Sequence, residues 1–305
     1  MKGPSRRDLL LAALPAPLPG ALVVALPAAA QAQPAVLERT IPSSGERIAA
    51  VGLGTWLTFD LPIGDAEGLA RRRAVLDRFF AGGGRLVDSS PMYGHAEAVL
   101  GELLARPEPR LFSATKVWTG IAGYGPTQMR RSLGLWRLPR VDLMQVHNLL
   151  AWREHLSTLR AWKDEGRIRH LGVTTSHGRA HDEVERILRG ERIDFLQITY
   201  SPVDRSAEPL LGLAAERGVA VIVNRPFDGG ALLQRLARRP LPALARELGC
   251  DSWAALVLKW ELAHPAVTCA IPATTNPLHV TQNLQALRGP LPDRRQREAL
   301  LRAFA

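Results

Sequence analysis

The chain contains little of what would hold a disulfide scaffold or a metal site. Only two cysteines are present, and the apolar run AVTCAIP around Cys269 favours a buried thiol over a bridge, although its pairing with Cys250 stays open. Eight histidines are present, but His177 and His181, spaced four residues apart, have no carboxylate partner in a helical motif. We therefore predict no metal site, and a metal-dependent hydrolase is disfavoured.

The glycines lack the spacing of a dinucleotide-binding fingerprint. In GLGTWL, Leu57 stands where the third glycine would be needed, and no acidic residue follows the next strand in the usual role. The triplet at residues 82–84 follows the helical pattern RRAVLDRFF and precedes a strand, so we interpret it as a helix end. A doubly wound sheet, the main alternative for alternating strands and helices, is thereby disfavoured.

Positive charge is abundant but is not arranged as in a nucleic-acid-binding surface. The formal net charge is +10. The arginines are scattered over predicted helices, as in ARRRAVLDRFF and PDRRQREALLRAF, with no basic stripe interleaved with aromatic residues. Solvated helix faces explain this charge, and no nucleic-acid partner is predicted.

The first residues are typical of an export signal. Lys2, Arg6 and Arg7 precede a nearly uncharged stretch that ends in a small-x-small pattern at residues 30–32. Repeated prolines in that stretch disfavour a membrane anchor. The segment SRRDLL at residues 5–10 resembles the twin-arginine export motif. We predict a signal over residues 1–32, a single folded domain over residues 33–305, export through the twin-arginine machinery and a periplasmic location.

Strand-like and helix-like segments alternate through the rest of the chain. A hairpin turning at Ser44 and Gly45 comes first, and eight β/α units follow, ending near residue 287. A chain of this length, 46% hydrophobic, can bury one large core. We predict an α/β fold, a (β/α)8 TIM barrel whose floor is capped by the N-terminal β-hairpin.

Four polar residues sit at or just beyond the downstream ends of apolar strand-like runs. They are Asp88 and Tyr93 in RLVDSSPMYG, Lys116 in LFSATKV and His147 in VDLMQVHN. A barrel keeps its chemistry at these strand ends. A phenol can donate a proton, an ammonium can ease its ionisation, a carboxylate can hold the ammonium, and an imidazole can orient a carbonyl. Together the four residues outline a site for carbonyl reduction.

From about Glu38 to about Arg288 the chain resembles the aldo-keto reductases. Six segments carry the resemblance, in the family's order and with matching internal spacing: VGLGTW, VDSSPMYGHAEAVLG, ATKVW, VDLMQVHN, LQITYSP and IPATTNPLHVTQN. The resemblance implies an enzyme that interconverts aldehydes or ketones and alcohols with a nicotinamide cofactor. It makes Tyr93 the general acid, Lys116 its neighbouring ammonium, Asp88 the partner of that ammonium, and His147 the group that orients the carbonyl.

The resemblance also implies the cofactor-binding residues. Gln197 would bind the carboxamide, and Thr174 and Thr175 stand where relatives commonly have Ser-Asn. Trp56 would approach both the nicotinamide ribose and the substrate, with Trp118 as a second wall of the substrate pocket. The remaining cofactor contacts lie after the first, seventh and eighth strands: Thr55, Asn224, Arg225, Pro226, Phe227, Thr274, His279, Gln282 and Asn283.

Two departures from the family pattern affect the cofactor. Many relatives read Tyr-Ser-Pro-Leu after strand seven, with the Tyr stacked on nicotinamide, where this chain reads Asn-Arg-Pro-Phe; Arg225 could cover the ring or reach the pyrophosphate. Relatives specific for NADPH often have Lys and Arg where this chain has Ala273 and His279. NADPH is the predicted cofactor, and NADH is the alternative.

Some members of the family serve as nucleotide-sensing subunits of larger assemblies and keep the same site residues. A binding subunit with little turnover is therefore the alternative function. The sequence does not indicate the oligomeric state, and it specifies the substrate only as a small carbonyl compound. The stretch at residues 119–127 is short, which favours an open substrate pocket.

Overall fold

The computed structural model describes residues 36–62, 64–104, 108 and 110–305. The predicted signal at residues 1–32 lies outside the described residues and stays a prediction. None of the described helices is both long enough and apolar enough to span a bilayer.

Eight parallel strands form one sheet in which each strand pairs with its neighbour in the chain. The first and last of them also meet, through parallel bridges from Val51 to Ala270 and from Gly54 to Ala273. The sheet therefore closes into the predicted (β/α)8 barrel. Its strands are β3 (Leu53–Gly54), β4 (Leu86–Asp88), β5 (Phe112–Val117), β6 (Val141–Val146), β7 (Ile168–Thr174), β8 (Phe195–Thr199), β9 (Ala220–Asn224) and β10 (Val267–Ala270).

Helices follow the strands along the chain. They are α1 (Ala66–Ala81), α2 (Ala96–Leu103), α3 (Gly125–Trp136), α4 (Trp152–Asp164), α5 (His181–Gly190), α6 (Glu208–Glu216), α7 (Ala231–Leu236), α8 (Ala243–Glu247), α9 (Trp253–Leu262), α10 (Pro277–Gln285) and α11 (Arg294–Phe304). Three short 3₁₀ helices, at Ala122–Tyr124, His147–Leu149 and Asp228–Gly230, follow β5, β6 and β9 at the end where the strands finish.

Helix α1 shows how the sequence sets these elements. The Asp65 side chain accepts the Gly68 backbone N–H at 2.8 Å and caps the first turn. Val75 and Phe79 lie on its buried face. The helix ends at the glycine triplet, where Gly83 has a φ of +98° that a residue with a side chain rarely adopts. The triplet is therefore the helix end predicted from the sequence.

The N-terminal hairpin joins β1 (Glu38–Thr40) and β2 (Arg47–Ala49), and Gly45 in its turn has a φ of +73°. Its buried side chains Ile41 and Ile48 belong to the same apolar cluster as Leu86 and Phe112, from the starts of two barrel strands. The hairpin therefore packs against the barrel end opposite to the strand ends that carry the polar residues.

Candidate active site

Three adjacent strands position the polar quartet. Asp88 ends β4, Lys116 is the penultimate residue of β5, and His147 directly follows β6. In the sheet register Asp88 pairs with Ala114, and Lys116 pairs with Gln145. Tyr93 lies in the turn after β4, where its N–H donates to the Ser90 carbonyl at 2.9 Å. The strand ends thus bring all four side chains to one end of the barrel.

Lys116 and Asp88 form a buried ion pair beneath this end. The Lys116 Nζ donates to Asp88 Oδ2 at 2.5 Å and to the Ser89 carbonyl at 2.8 Å. The two side chains are 0% and 2% exposed. Burial alone would lower the pKa of Lys116, but Asp88 and Tyr93 together raise it above its ordinary value. Lys116 is therefore an ammonium at physiological pH.

The second oxygen of Asp88 is held by two amides. Gln145 Nε2 donates to Asp88 Oδ1 at 3.1 Å, and Gln197 Nε2 donates to the same atom at 3.0 Å. Both amides come from strands further round the barrel. The carboxylate is thus fixed from both sides, and among the described residues Gln197 Oε1 has no hydrogen-bond donor.

The Tyr93 ring lies over the ammonium, with Lys116 Nζ 5.2 Å from the ring centroid. Burial raises the pKa of Tyr93, while the charge of Lys116 acts in the opposite direction. The phenol therefore keeps its proton at neutral pH. A phenol over a fixed ammonium can release that proton when a base forms beside it.

His147 packs edge-on against Tyr93, with the ring centroids 5.8 Å apart and the ring planes at 87°. Its Nδ1 lies 2.8 Å from Ser90 Oγ. Burial, with a smaller contribution from the charge of Lys116, lowers the pKa of His147 to about 3. The imidazole is therefore neutral at physiological pH and carries one ring proton.

A cavity of about 780 Å³ opens at this end of the barrel. Asp88, Tyr93 and His147 belong to its wall, whereas Lys116 lies behind the wall, fully buried. Every cofactor-binding residue predicted from the sequence lines the same cavity: Thr55, Trp56, Thr174, Thr175, Gln197, Asn224, Arg225, Pro226, Phe227, Thr274, His279, Gln282 and Asn283.

Several of these side chains are already bonded to the protein. Thr55 Oγ1 donates to the Asp88 carbonyl at 2.9 Å and also lies 2.9 Å from Ser89 Oγ. The Asn224 amide accepts from Thr199 Oγ1 at 2.7 Å and donates to the Thr175 carbonyl at 2.8 Å. These bonds hold Thr55 and Asn224 in the cavity wall, and each side chain retains at least one further donor or acceptor position.

Arg225, which follows β9, reaches across the cavity mouth. Its guanidinium carbon lies 5.9 Å from the Trp56 ring centroid, and its Nη2 donates to Asp228 Oδ1 at 3.1 Å. Arg225 has a φ of +52°, which turns the chain sharply at this point. A cation and an aromatic ring thus lie near each other at the opening, after β9 and β3, which only β10 separates in the barrel.

At the other end of the cavity, Thr274 and His279 contact each other. Thr274 Oγ1 lies 3.2 Å from His279 Nδ1 and accepts the Asn276 backbone N–H at 3.0 Å. Ala273 and His279 are both exposed, and Thr274 and Asn283 are buried. Ala273 and His279, the two departures from the NADPH-binding pattern, thus lie before and on α10.

Trp118 is placed differently from the other predicted site residues. Its backbone is held by Gln128, whose side chain accepts the Trp118 N–H at 2.6 Å and donates to its carbonyl at 2.9 Å. The indole is 40% exposed at the end of β5, and Trp118 is not among the residues that line the cavity.

Sequence reasoning missed Gln145 and Ser90, which hold Asp88 and His147. Both carried a usable signal. Gln145 lies two residues before His147, and Ser90 lies two residues after Asp88, so the period-two alternation of a strand places each on the inward side together with a member of the quartet. Among the described residues, no group of three or more His, Cys, Asp or Glu side chains is arranged to hold a metal ion.

Comparison with known proteins decides the family. The model of the aldo/keto reductase family matches residues 50–298. The chain belongs to this family. It is therefore an NAD(P)H-dependent oxidoreductase of the aldo-keto reductase type. Its sequence is 27% identical to methylglyoxal reductase YeaE of Escherichia coli over 262 residues, which cover 82% of this chain and 89% of that protein.

Solved aldo-keto reductases share the fold. The holo form of AKR11C1 from Bacillus halodurans superposes with a TM-score of 0.73 at 22% identity, covering 89% of this chain and 97% of that one. An aldo-keto reductase from Klebsiella pneumoniae in complex with NADPH gives a TM-score of 0.74 at 23% identity, covering 88% and 95%.

Proposed function

We propose that this aldo-keto reductase reduces a small aldehyde or ketone with NADPH, using Tyr93 as general acid. The observation that carries the proposal is the buried Lys116–Asp88 pair directly beneath a protonated Tyr93, at the wall of a cavity large enough for a nucleotide. NADH is the alternative cofactor.

The residues around the cavity fit a nicotinamide. Thr175 Oγ1 is buried without a hydrogen-bond partner among the described residues, which is costly for a hydroxyl. Gln197 lines the cavity, and its Oε1 accepts no hydrogen bond from a described residue. That oxygen can accept an N–H of a carboxamide. When bound, the nicotinamide supplies the hydride. Gln197, Thr174 and Thr175 would hold its carboxamide, and Trp56 and Arg225 would lie at the mouth.

The quartet then divides the proton chemistry. The Tyr93 phenol donates its proton to the carbonyl oxygen as charge develops there, and Lys116 stabilises the resulting phenolate. Asp88 keeps Lys116 charged and directed, since an unpaired buried charge would be costly. Neutral His147 hydrogen-bonds the carbonyl oxygen and sets its orientation. In the reverse direction the same groups remove a proton from an alcohol.

The choice of NADPH is supported by the Klebsiella pneumoniae neighbour, which was solved with that nucleotide. Ala273 and His279 take the places of two cations that commonly hold the 2′-phosphate, so the preference is expected to be modest. Methylglyoxal reductase YeaE is a relative of this chain, and short 2-oxoaldehydes therefore head the substrate panel.

Turnover of the purified protein tests the proposal. Short aldehydes, 2-oxoaldehydes and aromatic aldehydes should be reduced with either nucleotide. The rival is a nucleotide-sensing subunit, which would bind nucleotide with similar affinity but turn over none of the panel. If the protein binds the nucleotide but oxidises none of it with any substrate of the panel, the rival is favoured and the proposed enzyme is rejected.

We further propose that the protein is exported folded, with its nucleotide already bound. The support is the Arg6–Arg7 pair before the apolar stretch, and the scarcity of free nicotinamide nucleotide outside the cytoplasm. Continuous turnover would then need an alcohol or sugar to return hydride. Replacing both arginines with Lys should leave the precursor in the cytoplasm. Mature protein recovered from the periplasm without nucleotide, and binding it only weakly, would refute the idea.

A further inference from the structure

Ser90 is the residue that contacts the buried nitrogen of His147. It lies two residues after β4, is 0% exposed, and its Oγ lies 2.8 Å from His147 Nδ1. The sequence assigned it no role, and neither the ion pair nor the cavity wall accounts for a hydroxyl here.

The hydrogen bonds of Ser90 fix which of the two atoms donates. The Met92 backbone N–H donates to Ser90 Oγ at 3.2 Å, so this oxygen already accepts one bond. Its own proton needs an acceptor, and among the described residues His147 Nδ1 is the one within reach. If Nδ1 carried the ring proton instead, the hydroxyl would be a buried donor without a partner, which costs free energy.

The other ring nitrogen then carries the proton. A neutral imidazole has one N–H, so an accepting Nδ1 leaves the proton on Nε2. His147 lines the cavity, and its Nε2 makes no hydrogen bond among the described residues. An Nε2–H facing the cavity is a donor, which suits a carbonyl oxygen. An Nε2 without a proton would repel that oxygen.

We propose that Ser90 is a positioning residue that holds His147 in the Nε2–H tautomer and thereby makes it a hydrogen-bond donor to the substrate carbonyl. The second half of this inference rests on the proposed function, whereas the tautomer itself does not. The proton that reaches the product comes from Tyr93, and His147 keeps its own.

Four variants separate this role from simple packing. Ser90→Ala removes the hydroxyl that contacts His147. Ser89→Ala removes a neighbouring buried hydroxyl that lies 2.9 Å from Thr55 Oγ1 and does not contact the imidazole. Ser90→Thr keeps the hydroxyl, and Ser90→Cys replaces it with a thiol of similar size and weaker donor strength.

The tautomer is read directly by long-range ¹H–¹⁵N NMR of protein labelled with ¹⁵N-histidine, with His147→Gln to assign the resonances. We expect the Nε2–H form in the wild type, in Ser89→Ala and in Ser90→Thr, and a mixture or the Nδ1–H form in Ser90→Ala. The same sample needs no substrate, so the result stands even if no carbonyl is reduced.

Kinetics give the second readout. Ser90→Ala should lower kcat/KM for the carbonyl about tenfold while the Kd for NADPH stays within about twofold, and Ser90→Thr should restore most of the loss. Ser90→Cys should fall between Ala and Thr in both readouts. A wild-type ring protonated on Nδ1, or a tautomer unchanged by Ser90→Ala, would overturn the proposal whatever the rates. An unchanged kcat/KM beside a changed tautomer would overturn its catalytic half.

Discussion

At the reaction end of the cavity, Lys116 and Asp88 are bonded to side chains from four strands of the barrel. At the nucleotide end, Thr274 and His279 bond to each other and to their own loop. The first network is buried, whereas Ala273 and His279 are exposed. Under the proposed function, the contrast teaches that the proton chemistry is fixed by mutual contacts inside the barrel. Cofactor preference would then depend on a few surface positions that can change without disturbing the buried network.

The largest effect is expected when the buried Lys116–Asp88 ion pair at the reaction end is disrupted. Lys116→Met leaves Asp88 as a buried carboxylate without its cation, so reduction should fall about 10³-fold and unfolding free energy by about 3 to 5 kcal/mol. Adding Asp88→Asn should restore most of the stability and none of the activity. Thermal unfolding and steady-state rates measure both.

Lys163→Met is the matched control for that experiment. Lys163 Nζ pairs with Asp194 Oδ2 at 2.6 Å, but its side chain is 38% exposed and lies outside the cavity. The control should keep its activity and lose less stability than Lys116→Met, since water reaches Lys163 and Asp194, although only 7% exposed, also accepts the Leu171 backbone N–H. Equal losses in both lysine variants would contradict the special role of the buried pair.

At the nucleotide end, substitutions that add positive charge should increase the affinity for NADPH. Two charge-assisted contacts at about 1.5 to 3 kcal/mol each could supply roughly a hundredfold or more, so the wild type, which lacks both, should discriminate between NADPH and NADH by less. Ala273→Lys combined with His279→Arg should raise NADPH affinity about tenfold to a hundredfold and leave NADH affinity unchanged. Quenching of tryptophan fluorescence measures both affinities. A wild-type preference of several thousandfold for NADPH over NADH would show that residues other than those at positions 273 and 279 bind the 2′-phosphate.

The sequence was sufficient for the barrel and for the strand-end quartet, because the alternation of apolar strands and helices predicts where each strand stops. Residues such as Gln145 and Gln197 are harder to interpret, since closure of the sheet is what brings both amides to one carboxylate. The region between β9 and β10 holds three helices, α7, α8 and α9, where a simple β/α unit has one. Pro240 and Pro242 separate the first two, and Gly249, with a φ of +66°, helps to end α8.

Arg225 lies at the cavity mouth, and we expect its replacement to change nucleotide affinity less than the substitutions above change activity or affinity. Arg225→Ala should weaken nucleotide binding about fivefold, because a cation at the mouth is lost. If the guanidinium contacts the pyrophosphate, the difference between variant and wild type should shrink as salt is raised; if it lies flat over the ring, salt should change little. Titrations at low and high salt distinguish the two. If Arg225→Ala binds nucleotide as tightly as the wild type at low and at high salt, Arg225 contacts Trp56 and not the nucleotide.

The smallest expected effect is in the acid limb of the pH profile. Because the pKa of His147 is lowered to about 3, the imidazole stays neutral throughout the range from about pH 5 to about pH 7. The kcat/KM for reduction should therefore show no inflection that depends on His147 near the ordinary histidine value of about 6.5. An inflection there that is absent from His147→Gln would mean that His147 titrates and works as a cation.

The central claim is that the Tyr93 hydroxyl delivers the proton. Tyr93→Phe removes that hydroxyl and leaves the ring in place against His147. Rapid mixing of the NADPH-bound variant with a substrate aldehyde, followed by nucleotide absorbance, reports the single-turnover rate of hydride transfer. We predict a loss of about 10² to 10⁴-fold, with NADPH affinity unchanged within about twofold. A transfer rate close to that of the wild type would contradict the account.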